Sequence, residues 1–299
     1  MSFAQLKKNR TSSFDKLNKQ IQEMSKGGYS NNEDEWKLTV NSDGVGSAII
    51  RFLPAPENEE FPFVRVWDHG FKGPGGWYIE KSRTTLPGGE ADPVSEMNSE
   101  LWATGIESNK EIVRSRKRRL KYWMNIYVVK DAANPENEGK VFKYSAPVKI
   151  FEMINNAMHP EFDDTDPVNP YDFWEGANFR IKAKNGDGGW RTYAPSSFDA
   201  PSKMTKPDGT EMTDEEMEAV WKSQHSLSDI VDPKNFKSYE ELKAKLNKVL
   251  KISETLPQES APEIEHEIES MSGGETEPDF PEDDEEDDAL SVFKALASD

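Results

Sequence analysis

The chain has no cysteine among its 299 residues, and that absence removes disulfides, thiolate metal sites and cysteine nucleophiles together. It fits a reducing compartment. Also missing is any apolar run near the ~18–20 residues that a bilayer span requires. Residues 1–28 carry Lys7, Lys8 and Arg10 with no apolar stretch behind them, so no secretory signal is expected. Histidine is scarce, and His69, His159, His225 and His266 are too scattered to read as a triad or a metal pair. Gly73-Pro-Gly-Gly76 and Asn185-Gly-Asp-Gly-Gly189 lack the following Lys-Ser/Thr of a phosphate loop and read as hairpin turns. The acidic run at 161–166 lacks calcium-loop spacing and reads as a solvated loop. Nothing here argues for turnover chemistry.

What is present is charge, unevenly spread. The net charge is −19, but residues 252–299 hold seventeen acidic side chains and one lysine, leaving only −3 for the first 251 residues. Such a tail, dominated by acids and low in apolar content before its tip, reads as disordered. In the near-neutral body, Arg114, Arg116, Lys117, Arg118, Arg119 and Lys121 place six cations within eight residues, running into Tyr122 and Trp123. A charge run is most often a solvated face. Here it leads into a strand pattern, so the cations are expected at a sheet edge, with Tyr122 and Trp123 on opposite faces. One ring is free to join the core while the other faces a groove. Lys143 with Tyr144, and Trp190-Arg191 with Tyr193, add cations and rings on other strands. Cations for phosphates and flat rings for unstacked bases are what a single strand needs, and neither group reads sequence.

The secondary-structure pattern is mixed. Alternation and turn residues predict strands at 36–40, 47–53, 62–71, 77–82, 120–130, 140–145, 177–184 and 190–198. A helix is expected at 148–158, and 86–110 reads as a loop with a short helix. Thr213…Glu216 and Ser238…Glu241 are capping boxes, the second leading into a Leu242, Leu246, Val249 stripe. Short strands with glycine turns suggest a small barrel. In the arm, Phe14, Leu17, Ile21 and Met24 recur at helical spacing; at the tip of the tail, Leu290, Phe293 and Leu296 do likewise.

Four blocks then carry a resemblance: Gly46-Ser-Ala-Ile-Ile-Arg-Phe-Leu-Pro54, His69-Gly-Phe71 with Trp77-Tyr-Ile-Glu80, Pro135-Glu-Asn-Glu-Gly-Lys-Val-Phe-Lys-Tyr144 and Trp174-Glu-Gly-Ala-Asn-Phe179. They resemble the single-stranded DNA-binding protein family of T-even-type bacteriophages over nearly the whole chain. The fold implied is α+β: an OB-fold-like β-barrel core with flanking helices, a basic N-terminal arm (1–28) and a disordered acidic tail (252–299). The core, 29–251, would include a subdomain near 62–110 that carries zinc in the family.

The resemblance implies DNA contacts at Arg51, Lys117, Arg118, Arg119, Tyr122, Tyr144, Trp190 and Tyr193, to which the basic run and its companions add Arg116, Lys121, Lys143 and Arg191. It implies head-to-tail self-association through Lys7, Lys8, Arg10, Thr11 and Ser12, a match that Asn9 interrupts. The tail, through Leu290, Phe293 and Leu296, would dock replication and recombination proteins. The family's zinc rests on one histidine and three cysteines; His69 stands here, but Ser82, Asp92 and Ser95 occupy the cysteine positions, so no structural zinc or other cofactor is expected. The expected function is cooperative, sequence-independent coating of single-stranded DNA in phage replication, recombination and repair, in the cytoplasm of the infected bacterial host. An RNA-binding module of the same fold and a metal-dependent nuclease acting through 161–166 are the alternatives.

Overall fold

The computed structural model describes residues 34–162, 164, 166–186 and 191–252. The chain divides into two units, residues 1–35 and residues 36–299, and the fold described is that of the second. It is α+β. Strands β1 (Glu35–Trp36), β2 (Gly46–Phe52), β3 (Phe63–Gly73) and β4 (Gly76–Lys81) precede helices α1 (Pro93–Ala103) and α2 (Glu107–Arg116). The long β5 (Arg119–Lys130), β6 (Val141–Pro147) and α3 (Val148–Met158) follow. The body closes with β7 (Phe179–Asn185), β8 (Arg191–Thr192), β9 (Ser197–Phe198), α4 (Asp214–Lys222) and α5 (Tyr239–Leu250).

β5 organises the sheet. One edge is paired throughout by β6, from Lys121↔Pro147 to Tyr127↔Val141. The other edge is shared: β3 takes residues 119–124 and β2 takes residues 126–130, both antiparallel. The main path runs β1-β6-β5-β2-β7-β8, with β3–β4 and β9 branching from it. Among the described residues the path is open rather than a closed ring.

Apolar alternation fills both faces. Ile50, Phe52, Met124, Ile126, Val128, Phe179 and Ile181 are buried with Ile150 and Ile154 of α3 in the main core. A second cluster, Leu53, Tyr127, Val129, Phe173, Met204, Met212 and Met217, lies across the sheet beneath α4. A third joins the β3–β4 hairpin to the helices: Phe71, Tyr78 and Val94 pack on Leu242, Leu246 and Val249 of α5. Both capping boxes form as expected at Thr213 and Ser238. The hairpin's glycines are needed for close approach. The Gly75 N–H donates to the Val249 carbonyl at 2.7 Å, and a Cβ there would lie 2.1 Å from the Lys248 carbonyl oxygen.

Three expectations need correction. The strand expected at 36–40 is only the two-residue β1, Glu35–Trp36. The segment 86–110, expected to be a loop with a short helix, holds two helices, α1 and the start of α2. Asp92 caps α1, accepting from the Val94 and Ser95 N–H groups, with Pro93 in the first turn where its missing N–H costs nothing. The strand at 190–198 is not continuous: β8 ends at Thr192 and β9 starts at Ser197, with Pro195 between them.

Candidate nucleic-acid interface

The basic run does not lie on a sheet edge. It spans the junction where α2 ends and β5, an inner strand, begins. Arg114 and Arg116 occupy the last turn of α2, where cations favour the partial negative charge of the exposed carbonyls. Arg114 pairs with Glu107 at 2.7 Å and lies 5.8 Å from the Trp102 ring centroid. The Arg116 guanidinium packs 5.6 Å from the centroid of Phe71, and burial lowers its pKa. Lys117 is exposed at the helix end. Arg118 stacks over Trp67 at 4.5 Å, a cation–π contact that holds the guanidinium plane. Arg119 is exposed, and Lys121 pairs with Asp68 at 2.5 Å.

Alternation along β5 sorts its side chains. Trp123 and Lys121 share a face with Val66, Asp68 and Arg119, and through the β5–β6 and β3–β4 registers with Lys143 and Lys81. The segment 225–236 runs over part of this face: Asn125 exchanges hydrogen bonds with the His225 backbone, at 2.8 and 3.1 Å. Trp123 is half-buried there against Val66, Leu227 and Ile230. The opposite face carries Tyr122, which is buried; its ring lies parallel to Phe151 of α3 at 3.6 Å between centroids.

Three of the expected contact residues are therefore placed in the interior. Tyr122 is the ring that joins the core. Tyr144 is also buried, edge-on to Trp36 at 5.5 Å, and burial raises its pKa well above the ordinary value. Arg51 is fully buried, its Nη2 donating to the Asp172 carbonyl at 2.7 Å and the Ser202 carbonyl at 2.9 Å. Burial pulls its pKa down to about 10, against the opposing attraction of Asp172. Lys143 and Tyr193 are half-buried, Arg191 is exposed, and Tyr193 leans on the main core. Trp190 lies outside the described residues, as do Lys7, Lys8, Arg10, Thr11 and Ser12 of the arm and Leu290, Phe293 and Leu296 of the tail.

Sequence reasoning missed Arg65, Trp67 and Lys81. The β3–β5 register sets Arg65 opposite Tyr122 and Trp67 opposite Leu120, beside the basic run. Lys81 ends β4 opposite Asp68; its Nζ donates to the Ile230 carbonyl at 2.8 Å and lies 5.1 Å from the Phe236 centroid. Its pKa is lowered by burial and then by Lys143, so two cations converge on this face. A tryptophan two residues after an arginine on a strand was the available signal.

The family model described as gp32 DNA binding protein like matches residues 44–250, which takes in every element from β2 to α5. The chain belongs to that family. It is 40% identical over 231 residues to the single-stranded DNA-binding protein of Enterobacteria phage T2, covering 76% of this chain and 73% of that protein. The single-stranded DNA-binding protein of Enterobacteria phage T4 is 40% identical over 230 residues, with the same coverage. That of Enterobacteria phage RB70 is 40% identical over 102 residues, 33% of this chain and 84% of the relative.

The gp32-like resemblance implies zinc, and the residues at that position do not suit it. The His69 Nδ1 meets the Arg116 carbonyl at 3.0 Å, and its Nε2 faces Asp92 Oδ1 at 3.3 Å. Both ring nitrogens face protein oxygens, and no group of three histidine or carboxylate side chains placed to hold a metal is found among the described residues. Asp92 Oδ1 accepts from the Val94 and Ser95 N–H groups, and Oδ2 from the Arg83 N–H. Ser82 Oγ is 3.0 Å from Thr84 Oγ1, and a neutral hydroxyl is a weak zinc ligand in any case.

Proposed function

We propose that the chain is a single-stranded DNA-binding protein, not an enzyme, that coats strands cooperatively and without sequence preference. The observation that carries this reading is the cationic segment entering β5: Arg119 and Lys121 share one face of the sheet with Trp123, Arg118 stacks on Trp67 of the other face, and Lys117 is exposed at the helix end. Lys81 and Lys143 extend the band across the neighbouring strands. Phosphates would meet the cations while bases stack on the partly exposed rings, at about 1–3 kcal/mol per stacked base. The names of the phage T2 and T4 relatives support the same ligand. Binding single strands in preference to duplex shifts the melting equilibrium by mass action, without fuel.

The finer parts of the reading belong to the same proposal. The core is an OB-like barrel, with the subdomain near 62–110 set upon it. Residues 1–28 mediate head-to-tail association along DNA through Lys7, Lys8, Arg10, Thr11 and Ser12. Residues 252–299 compete with DNA for the basic band, and their apolar tip docks replication, recombination and repair proteins in the host cytoplasm. A tethered segment of charge −16 has a high effective concentration near its own body. Among the described residues, no helix is long and apolar enough to cross a membrane.

Titration of intrinsic tryptophan fluorescence with poly(dT) at several salt concentrations tests the reading. Affinity should fall with salt at a slope of about −0.7 per phosphate neutralised. An affinity indifferent to salt would sink it. Removing residues 252–299 should strengthen binding most at low salt; equal affinity with and without them would refute autoinhibition. Preference for a matched RNA oligomer over DNA would turn the proposal toward an RNA-binding module.

A further inference from the structure

The subdomain that the family ties together with zinc is tied here by other means. His69 lies on β3, Asp92 at the N-terminus of α1 and Arg116 at the C-terminus of α2. The side chains of His69 and Asp92 are each only 1% exposed. The imidazole spans the two helices, touching Asp92 Oδ1 through Nε2 at 3.3 Å and the Arg116 carbonyl through Nδ1 at 3.0 Å. Asn98 Nδ2 from α1 adds a second, longer donor to the same carbonyl, at 3.4 Å. Asp92 simultaneously caps α1 and accepts from the Arg83 N–H, fixing the chain between β4 and α1. A buried carboxylate and a buried imidazole are costly alone and become tolerable only when every lone pair and hydrogen is used. Both Asp92 oxygens and His69 Nδ1 are hydrogen-bonded, while His69 Nε2 meets Asp92 Oδ1 only as a close polar contact at 3.3 Å.

We propose that His69 and Asp92 form a metal-independent clasp that replaces zinc and positions the basic segment 116–121. Arg116 is the residue from which that segment departs, and the clasp holds its carbonyl from two sides. His69 is therefore a positioning residue; it has no surface to offer DNA. The positioning half of the proposal rests on the DNA-binding reading above, while the metal-independent half does not.

The two halves are tested separately. First, without DNA, the full chain is purified with and without added zinc, its metal content is measured, and its thermal unfolding is followed with and without a chelator. The clasp predicts far less than one zinc per chain and the same midpoint in both conditions. One zinc per chain, with a midpoint that falls on chelation, would overturn it. Second, poly(dT) affinity is measured against salt for His69→Gln and Asp92→Asn, the latter keeping an acceptor for the α1 N–H groups. Both variants should bind more weakly and with a shallower salt slope, by about 0.7 for each phosphate no longer neutralised. Leu246→Ala, in the same subdomain's apolar cluster, should lower the midpoint and leave the slope unchanged. Native slopes in both clasp variants would refute positioning. Failure of the native chain to bind poly(dT) would instead remove the functional reading and leave the metal and melting results standing.

Discussion

Arg51 separates two accounts of the interface. The resemblance makes it a phosphate contact; its position makes it a strut joining three distant parts of the chain. Its Nη2 bridges the carbonyls of Asp172 and Ser202, which lie 121 and 151 residues away in sequence. Arg51→Met keeps the stem and removes the charge. Each hydrogen bond from a charged donor contributes about 1.5–3 kcal/mol, and its loss leaves a buried carbonyl unsatisfied. Part of that is offset, because a buried guanidinium is itself expensive and its Nε and Nη1 have no partner. A net loss of about 2–4 kcal/mol follows. For an ordered region of this size, that lowers the unfolding midpoint by about 4–16 °C. Circular dichroism melting and poly(dT) titration against salt, on the same preparation, read the two accounts together. The strut predicts a large drop in midpoint and an unchanged salt slope. An unchanged midpoint with a slope shallower by about 0.7 would refute the reasoning and return Arg51 to the DNA.

Gly176→Ala tests the same strut from the other side: its Cβ would lie 2.3 Å from the Asp172 carbonyl oxygen and 2.9 Å from Arg51 Nη2. It should destabilise by about 1–3 kcal/mol in chemical denaturation. Tyr122→Ala removes a buried ring stacked on Phe151 and should cost about 3–5 kcal/mol in the same assay. The salt slope per site should stay native if Tyr122 touches no DNA. Gly75→Ala should detach the β3–β4 hairpin from the last turn of α5, seen as faster hydrogen exchange at Tyr78 and Leu246. Arg118→Gln and Arg119→Gln should leave the melting midpoint within about 1 °C and each flatten the poly(dT) salt slope by about 0.7.

Much of the fold was legible because its signals are local. The apolar stripe of α3 marked 148–158 to the residue, and two capping boxes marked the starts of α4 and α5. Helix α2 was hidden because it buries only Val113 and so shows no apolar stripe. Its neighbour α1 is the short helix expected within 86–110, and Asp92-Pro93 marks its start. The basic run was legible as chemistry but not as position. Alternation alone puts Tyr122 and Trp123 on opposite faces, yet only the packing of α3 decides which face is the core. Arg51 and Tyr144 were misplaced for a similar reason. Their partners, Asp172, Ser202 and Trp36, come from distant segments that no window of sequence brings together.

The shared edge of β5 has a consequence for how this protein family can drift. A strand paired on both sides admits no one-residue slip: insertion or deletion within 119–124 would exchange Tyr122 for a neighbour and turn cations into the core. The stretch at 117–118, between helix end and strand start, carries no such parity. Length changes should therefore accumulate there, and cations should come and go upstream of Arg119 far more readily than after it. Descendants would then differ in how much charge they present while agreeing on the face that presents it.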